Sequence, residues 1–111
     1  MIVMAKYLIP RGYCGLAIYP FVFLKHKTLI GDKVLINHET IHLRQQFEML
    51  ILPFFIWYFT EFCFRLIQYK NGYLAYRNIS FEREAFSNEH DLRYLKKRRF
   101  WNFLKYCGHE V

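Results

Sequence analysis

Cysteine, glycine and proline are scarce in this chain, and acid is scarcer than base. The three cysteines, Cys14, Cys63 and Cys107, are scattered and odd in number. That excludes a disulfide framework or a CxxC zinc site and leads us to expect a reducing, cytoplasmic setting. Five glycines and three prolines leave no room for a collagenous or linker-like segment. Long apolar runs are missing too. The longest, Met49 to Phe59, is eleven residues with Pro53 inside it. A bilayer span needs about 18–20, so this segment is expected to be a buried or interfacial helix. The N-terminus has no charged n-region leading into an apolar stretch and does not read as a signal peptide. With no internal repeat, the expectation is one domain over residues 1–111, large enough for a single core.

What the chain has in abundance is aromatic and cationic residues. Its 54% hydrophobic content, with twelve Phe and nine Tyr, implies bulky packing or apolar surface left over for a membrane or partner. The +7 net charge is uneven. Six cations (Arg93, Lys96, Lys97, Arg98, Arg99, Lys105) and no acids fall between Arg93 and Lys105, whereas the rest of the chain has ten basic against nine acidic residues.

The chemistry is concentrated in His38-Glu39-Thr40-Ile41-His42. Residues four apart share one face of a helix, one turn above each other. Two histidines so placed can aim imidazole nitrogens at one ion while the intervening glutamate stands beside it. In such H-E-x-x-H helices two histidines hold zinc, and the carboxylate is general base to a zinc-bound water. The pattern continues through Leu43-Arg44-Gln45-Gln46 as HExxHxxQQ. Gly31-Asp32 supplies a turn and an N-cap for a helix running from about Lys33 to Leu52, to be ended or kinked by Pro53.

Before this helix, residues 1–25 read as a β-hairpin with an exposed edge, its first strand closed by Arg11-Gly12-Tyr13-Cys14-Gly15 and its second interrupted at Pro20. After it come a second helix from Phe54 to about Tyr69, with Glu61 and Arg65 spaced as an ion pair, and a connector over Tyr73–Asn78. A third helix is expected from near Asn78 or Ser80 towards Leu95.

A catalytic zinc usually takes three protein ligands and leaves one position open. The third helix offers Glu82 and Glu84, about 200° apart around its axis, so only one of them can face a metal. Glu82 shares its side with Ile79, Ala85 and Phe86, and the small Ala85 would let the two helices pack closely. Glu84 remains the alternative, on the side of Asn88, which could hydrogen-bond a ligating histidine.

His38, Glu39 and His42, followed by Gln45-Gln46 and, some forty residues on, by Glu82-Arg83-Glu84-Ala85, resemble the gluzincin branch of the zincin-like metallopeptidases. The likeness is to small HExxHxxQ…ExEA domains of unknown function, some of them stand-alone bacterial proteins, and covers roughly residues 16–90. It implies an antiparallel edge strand, an active-site helix and a glutamate-bearing helix around zinc. Glu39 would be base and acid, and the first Glu of ExEA the third ligand. The residue after ExEA is often Asp in such proteins, and here it is Phe86.

The expected fold is therefore α+β and zincin-like, an N-terminal hairpin followed by three to four helices. The expected function is peptide-bond hydrolysis by a metal-bound water that Glu39 activates. Tyr76, with Tyr73, Arg77 and His90, is a candidate donor to the oxyanion. Ile18, Tyr19 and Phe21 are candidates to bind a peptide or protein substrate by strand addition. Cys107 and His109 could reach the metal from the tail. The 93–111 tail interleaves cations with Tyr94, Phe100, Trp101 and Phe103, which suits an anionic membrane surface and peripheral membrane association. It suits nucleic acid less, because no recognised motif accompanies the charge. The competing class is a catalytically silent binding module docked through this tail.

Overall fold

Alternating, turn-bounded segments occupy the first quarter of the chain, and longer segments without breakers follow. The computed structural model, which describes residues 2–5, 7, 9 and 13–107, follows that division and is α+β. Strands β1 (Ile2–Met4), β2 (Gly15–Ile18) and β3 (Phe21–Leu24) form one sheet in the order β1-β3-β2. The hairpin expected across residues 1–25 is confined to β2 and β3, which pair antiparallel with Gly15 opposite Leu24 and Ile18 opposite Phe21. Pro20 does not interrupt a strand. It forms the two-residue turn with Tyr19, through a cis peptide bond, where a missing N–H costs no ladder bond. β1 instead runs parallel to β3, with Ile2 beside Val22, so β2 is an edge strand. Of the turn expected over residues 11–15, Arg11 and Gly12 lie outside the described residues, and Gly15 already opens β2.

A 3-10 turn (Lys27–Gly31) leads into α1 (Lys33–Met49), whose N-cap is Asp32 as the sequence suggests; its side chain accepts from the Leu35 N–H at 3.0 Å. The helix ends three residues earlier than expected, and the cause is not proline. Leu50 turns the chain with φ 62°, and α2 (Ile51–Tyr69) starts at once. Pro53 sits in the first turn of α2, where an N–H would have no intrahelical acceptor. The expected connector is helical as well. Lys70, with φ 54°, reverses the chain, and the Asn71 side chain caps α3 (Gly72–Arg77) through the Leu74 N–H at 3.0 Å. Helix α4 (Ser80–Asn88) stops short of Leu95. The four-residue α5 (Tyr94–Lys97) and a 3-10 turn (Asn102–Tyr106) follow it.

Aromatic stacking builds the core. Phe81 of α4 lies between Phe54 of α2 and Phe103 of the tail, with ring centroids 4.3 and 4.5 Å away, and Met49 and Ile79 complete the cluster. A second cluster joins Ile41 of α1 to Ala85 of α4 and Tyr94, so the small residue at 85 does sit where the two helices meet. The expected Glu61–Arg65 pair is replaced by inward bonds. Glu61 accepts from Trp57 Nε1 at 2.7 Å and from the Ser80 N–H at 2.8 Å, and Arg65 donates to the Cys107 carbonyl at 3.1 Å.

The tail folds back onto this core, burying Tyr94, Phe103 and Tyr106. Arg98, one of the six cations of the basic segment, is buried as well. It pairs with Glu84 and, at 2.5 Å, with Glu48, which also accepts from the Trp101 N–H at 3.0 Å. Tyr94 adds a hydrogen bond to Glu84 at 2.5 Å.

Breaking a buried ion pair from one side strands its partner's charge. Glu84→Ala should therefore lower the unfolding free energy by about 3–5 kcal/mol in urea titrations. Lys97→Ala, which removes only the exposed and solvent-screened Lys97–Asp91 pair, should leave the unfolding midpoint nearly unchanged. Equal effects would show that the buried network does not hold the tail.

Candidate metal centre

The helical spacing of His38 and His42 puts both rings on the side of α1 that faces α4, their centroids 4.9 Å apart. From α4, Glu82 reaches between them. Glu82 Oε1 lies 3.2 Å from His38 Nε2 and 3.0 Å from His42 Nε2, and the two Nε2 atoms are 3.3 Å apart. All three residues are buried. Glu84, two positions on, points the opposite way into the Arg98 network, as the helical rotation requires.

The donor set can be tested for fit. Bonds of about 2.0–2.1 Å at tetrahedral angles place ligand atoms about 3.3 Å apart. The observed separations of 3.0–3.3 Å match a triangle that one ion could occupy. The outer ring nitrogens agree. His38 Nδ1 donates to Glu89 Oε1 at 2.7 Å and His42 Nδ1 to Gln45 Oε1 at 2.8 Å, which turns each Nε2 lone pair inward. The second oxygen of Glu82 accepts from the Tyr58 hydroxyl at 2.6 Å. His38, His42 and Glu82 together could hold a metal ion.

Glu39, also buried, stands beside this group and borders two cavities of about 300 Å³ each. One of these is lined by His38, Glu89, Tyr73 and Tyr76; the other by His42, Glu82, Leu16, Phe54, Phe55 and Tyr58. Burial pushes the Glu39 carboxyl above the usual carboxylate range, against the pull of both histidines. Burial also opposes charge on His42, but Glu82, by charge and hydrogen bond, outweighs it and carries the ring up to about 9. Glu82 is buried too, and the two histidines hold its carboxyl well below the ordinary value despite that burial.

The remaining candidates separate. Tyr76 lines both cavities, and burial, with Glu82 and Glu39 nearby, pushes its hydroxyl up, so it stays a proton donor. Asn88 does not reach a histidine. It donates to the Glu84 carbonyl and the Tyr106 hydroxyl, and the carboxylate on His38 comes from the next residue, Glu89. Tyr73 is exposed, Arg77 lies over the Phe86 ring, and the His90 side chain is solvent-facing beside Glu89. Phe86 packs edge-on against His38, ring centroids 4.5 Å apart. Cys107 is half-buried beside Phe103, and His109 lies outside the described residues.

Of the expected substrate segment, Phe21 belongs to the central strand, and Ile18 and Tyr19 lie at the hairpin turn. Gln46 already bonds the adjoining edge, accepting from the Tyr19 N–H at 2.6 Å and donating to the Ala17 carbonyl at 2.7 Å. Gly15, further along the same strand, lies against Glu39. A Cβ there would come within 3.1 Å of Glu39 Oε2. Sequence reasoning missed Gly15, Tyr58 and Glu89. The two glutamines were visible as an extended motif but carried no stated role.

A proton and a cation compete for the His42 Nε2 lone pair. Apparent cation affinity should therefore rise with pH, about tenfold per unit at most, and level off near the imidazole value of about 9. Glu82→Ala should remove stoichiometric metal, and Glu84→Gln should keep it. Both are read by metal analysis of untagged protein.

No protein-family model, curated protein or solved structure matches this chain.

Proposed function

We propose that the chain is a zinc-dependent metallopeptidase of the gluzincin type. The observation that carries this is the convergence of His38, His42 and Glu82 donors at 3.0–3.3 Å beside a buried Glu39 that borders open cavities. Two imidazoles and one carboxylate are a donor set suited to zinc, whereas magnesium and calcium prefer all-oxygen ligands. Bound there, zinc would polarise a scissile carbonyl and lower the pKa of a water to about 7.

The protein's own groups supply the rest. Glu39 takes the proton of the attacking water and returns it to the leaving amine. Tyr76 donates its hydroxyl proton in a hydrogen bond to the developing oxyanion. Glu89 and Gln45 hold the histidine rings in the tautomer that presents Nε2. An extended substrate lies along β2 at its Gly15 end, since Gln46 occupies the edge at Ala17 and Tyr19. The cavity walled by Leu16, Phe54, Phe55 and Tyr58 fits an apolar side chain of that peptide.

The silent binding module has less behind it. Its docking element was to be the tail, yet Tyr94, Arg98, Phe103 and Tyr106 are committed to the core.

Glu39→Gln should retain metal at the wild-type ratio and lose peptidase activity by at least about a hundredfold, the usual scale for a general base. Gly15→Ala should also keep the metal, because the added methyl presses on Glu39 and not on the ligands. Its activity should fall through kcat. Hydrolysis of fluorogenic peptides, assayed beside metal content, checks both. Undiminished turnover by Glu39→Gln would overturn the assignment.

A further inference from the structure

Helix α2 is built inside out. Its two charged residues, Glu61 and Arg65, face the protein and are bonded to Trp57, Ser80 and the Cys107 carbonyl. On the opposite side Leu52, Ile56, Phe59 and Ile67 fall on one stripe, between 61% and 77% exposed. At 1.5 Å per residue that stripe is roughly 22 Å long. α2 is long and apolar enough to cross a membrane by length and composition. A span would nevertheless drag Glu61 and Arg65 out of their bonds, so the helix is suited to lie flat.

The charge around the stripe indicates what covers it. Among the described residues ten cations are exposed, whereas the acids at the surface are Asp32, which caps α1, and Asp91, which is paired with Lys97. The other described acids are taken up inside: Glu39 and Glu82 at the candidate metal centre, Glu89 on His38, Glu48 and Glu84 on Arg98, Glu61 on Ser80. Exposed cations accompany α2 along its length. Arg44 lies on the last two turns of α1, before the corner at Leu50. Arg99 and Lys105 flank Trp101 and Phe103, which pack beside Trp57, and Lys70 ends the helix. A second copy of the chain would bring cationic rims together with too few exposed acids among the described residues to neutralise them, which opposes self-association. An apolar strip framed by cations matches a bilayer with anionic headgroups, where apolar side chains enter the acyl boundary and each cation near the surface strengthens binding about fivefold.

We propose that the protein docks on anionic membranes through the outer face of α2, lying in the plane of the headgroups, with Arg44, Lys70, Arg99 and Lys105 as its charged rim. The tail contributes Arg99 and Lys105 to this surface while its buried aromatics stay in the core. Docking does not depend on peptidase activity.

The test is cosedimentation of the full chain with phosphatidylcholine vesicles, with and without roughly a third phosphatidylserine, the lipid that attracts polybasic surfaces. Binding should need the anionic lipid and weaken with salt. Phe59→Glu and Ile56→Glu should each reduce it at least about tenfold, and Lys70→Glu with Lys105→Glu about twenty-fivefold or more. Unchanged circular dichroism and metal content in these variants would show that the fold is intact. Four outcomes would each overturn the proposal. They are no binding to either vesicle, equal binding to both, wild-type binding by Phe59→Glu, and vesicle-bound protein that alkaline carbonate cannot strip, which indicates a span. A Phe59-dependent dimer in sedimentation velocity without vesicle binding would also overturn it, in favour of a second copy.

Discussion

A single run of buried polar contacts fixes the relation between α1 and α4. His42 donates to Gln45, Gln45 donates to Glu84, and Glu84 is held by Arg98, which also engages Glu48. These groups leave water on folding, so each must find its partner or cost several kcal/mol. The chain therefore has few ways to pack these helices. The arrangement that satisfies Gln45 and Glu84 also turns Glu82 towards His38 and His42. Ala85 lets the two helices approach, and Phe81 anchors the other side of α4 in the aromatic cluster.

The same network explains where the charges go. Most of the described acids are taken by the candidate metal centre, a buried arginine and the helix starts. The outer surface is left basic. Aromatic abundance works in a parallel way: Phe54, Phe81 and Phe103 fill a core that a chain of this length can barely enclose, and the surplus appears on α2. Core, candidate centre and apolar face are thus linked through one helix. α2 contributes Phe54 to the core, Tyr58 to Glu82, and Ile56 and Phe59 to the outside.

Much of the candidate centre could be read before any coordinates. Periodicity alone puts His38 and His42 on one face, and the rotation between Glu82 and Glu84 dictates that only one joins them. The Asp32 cap was equally legible, because its chemistry is local. The misjudged positions involved partners distant in sequence. Asn88 was expected where Glu89 stands, because the register of a helix end is set by the helix packed against it, here by Asn37, whose side chain bonds the carbonyls of Asn88, Glu89 and Asp91. Pro20 and Pro53 both looked like interruptions. Each instead sits where no N–H is required, in a hairpin turn and in a first helical turn. Composition cannot distinguish those places from a strand or helix interior.

The sequence by itself determined which side chains are available and how they are spaced along each helix, since backbone geometry fixes what lies one turn away. It also determined the strand–helix division and the excess of cations. Tertiary structure decided which acid meets the histidines, that Arg98 is spent on a buried pair, that β1 runs parallel to β3, and that the charges of α2 turn inward while its apolar side faces out. Those outcomes depend on closing distances between residues tens of positions apart, and such distances are set by the simultaneous burial of aromatic bulk and satisfaction of polar groups. No local pattern encodes that.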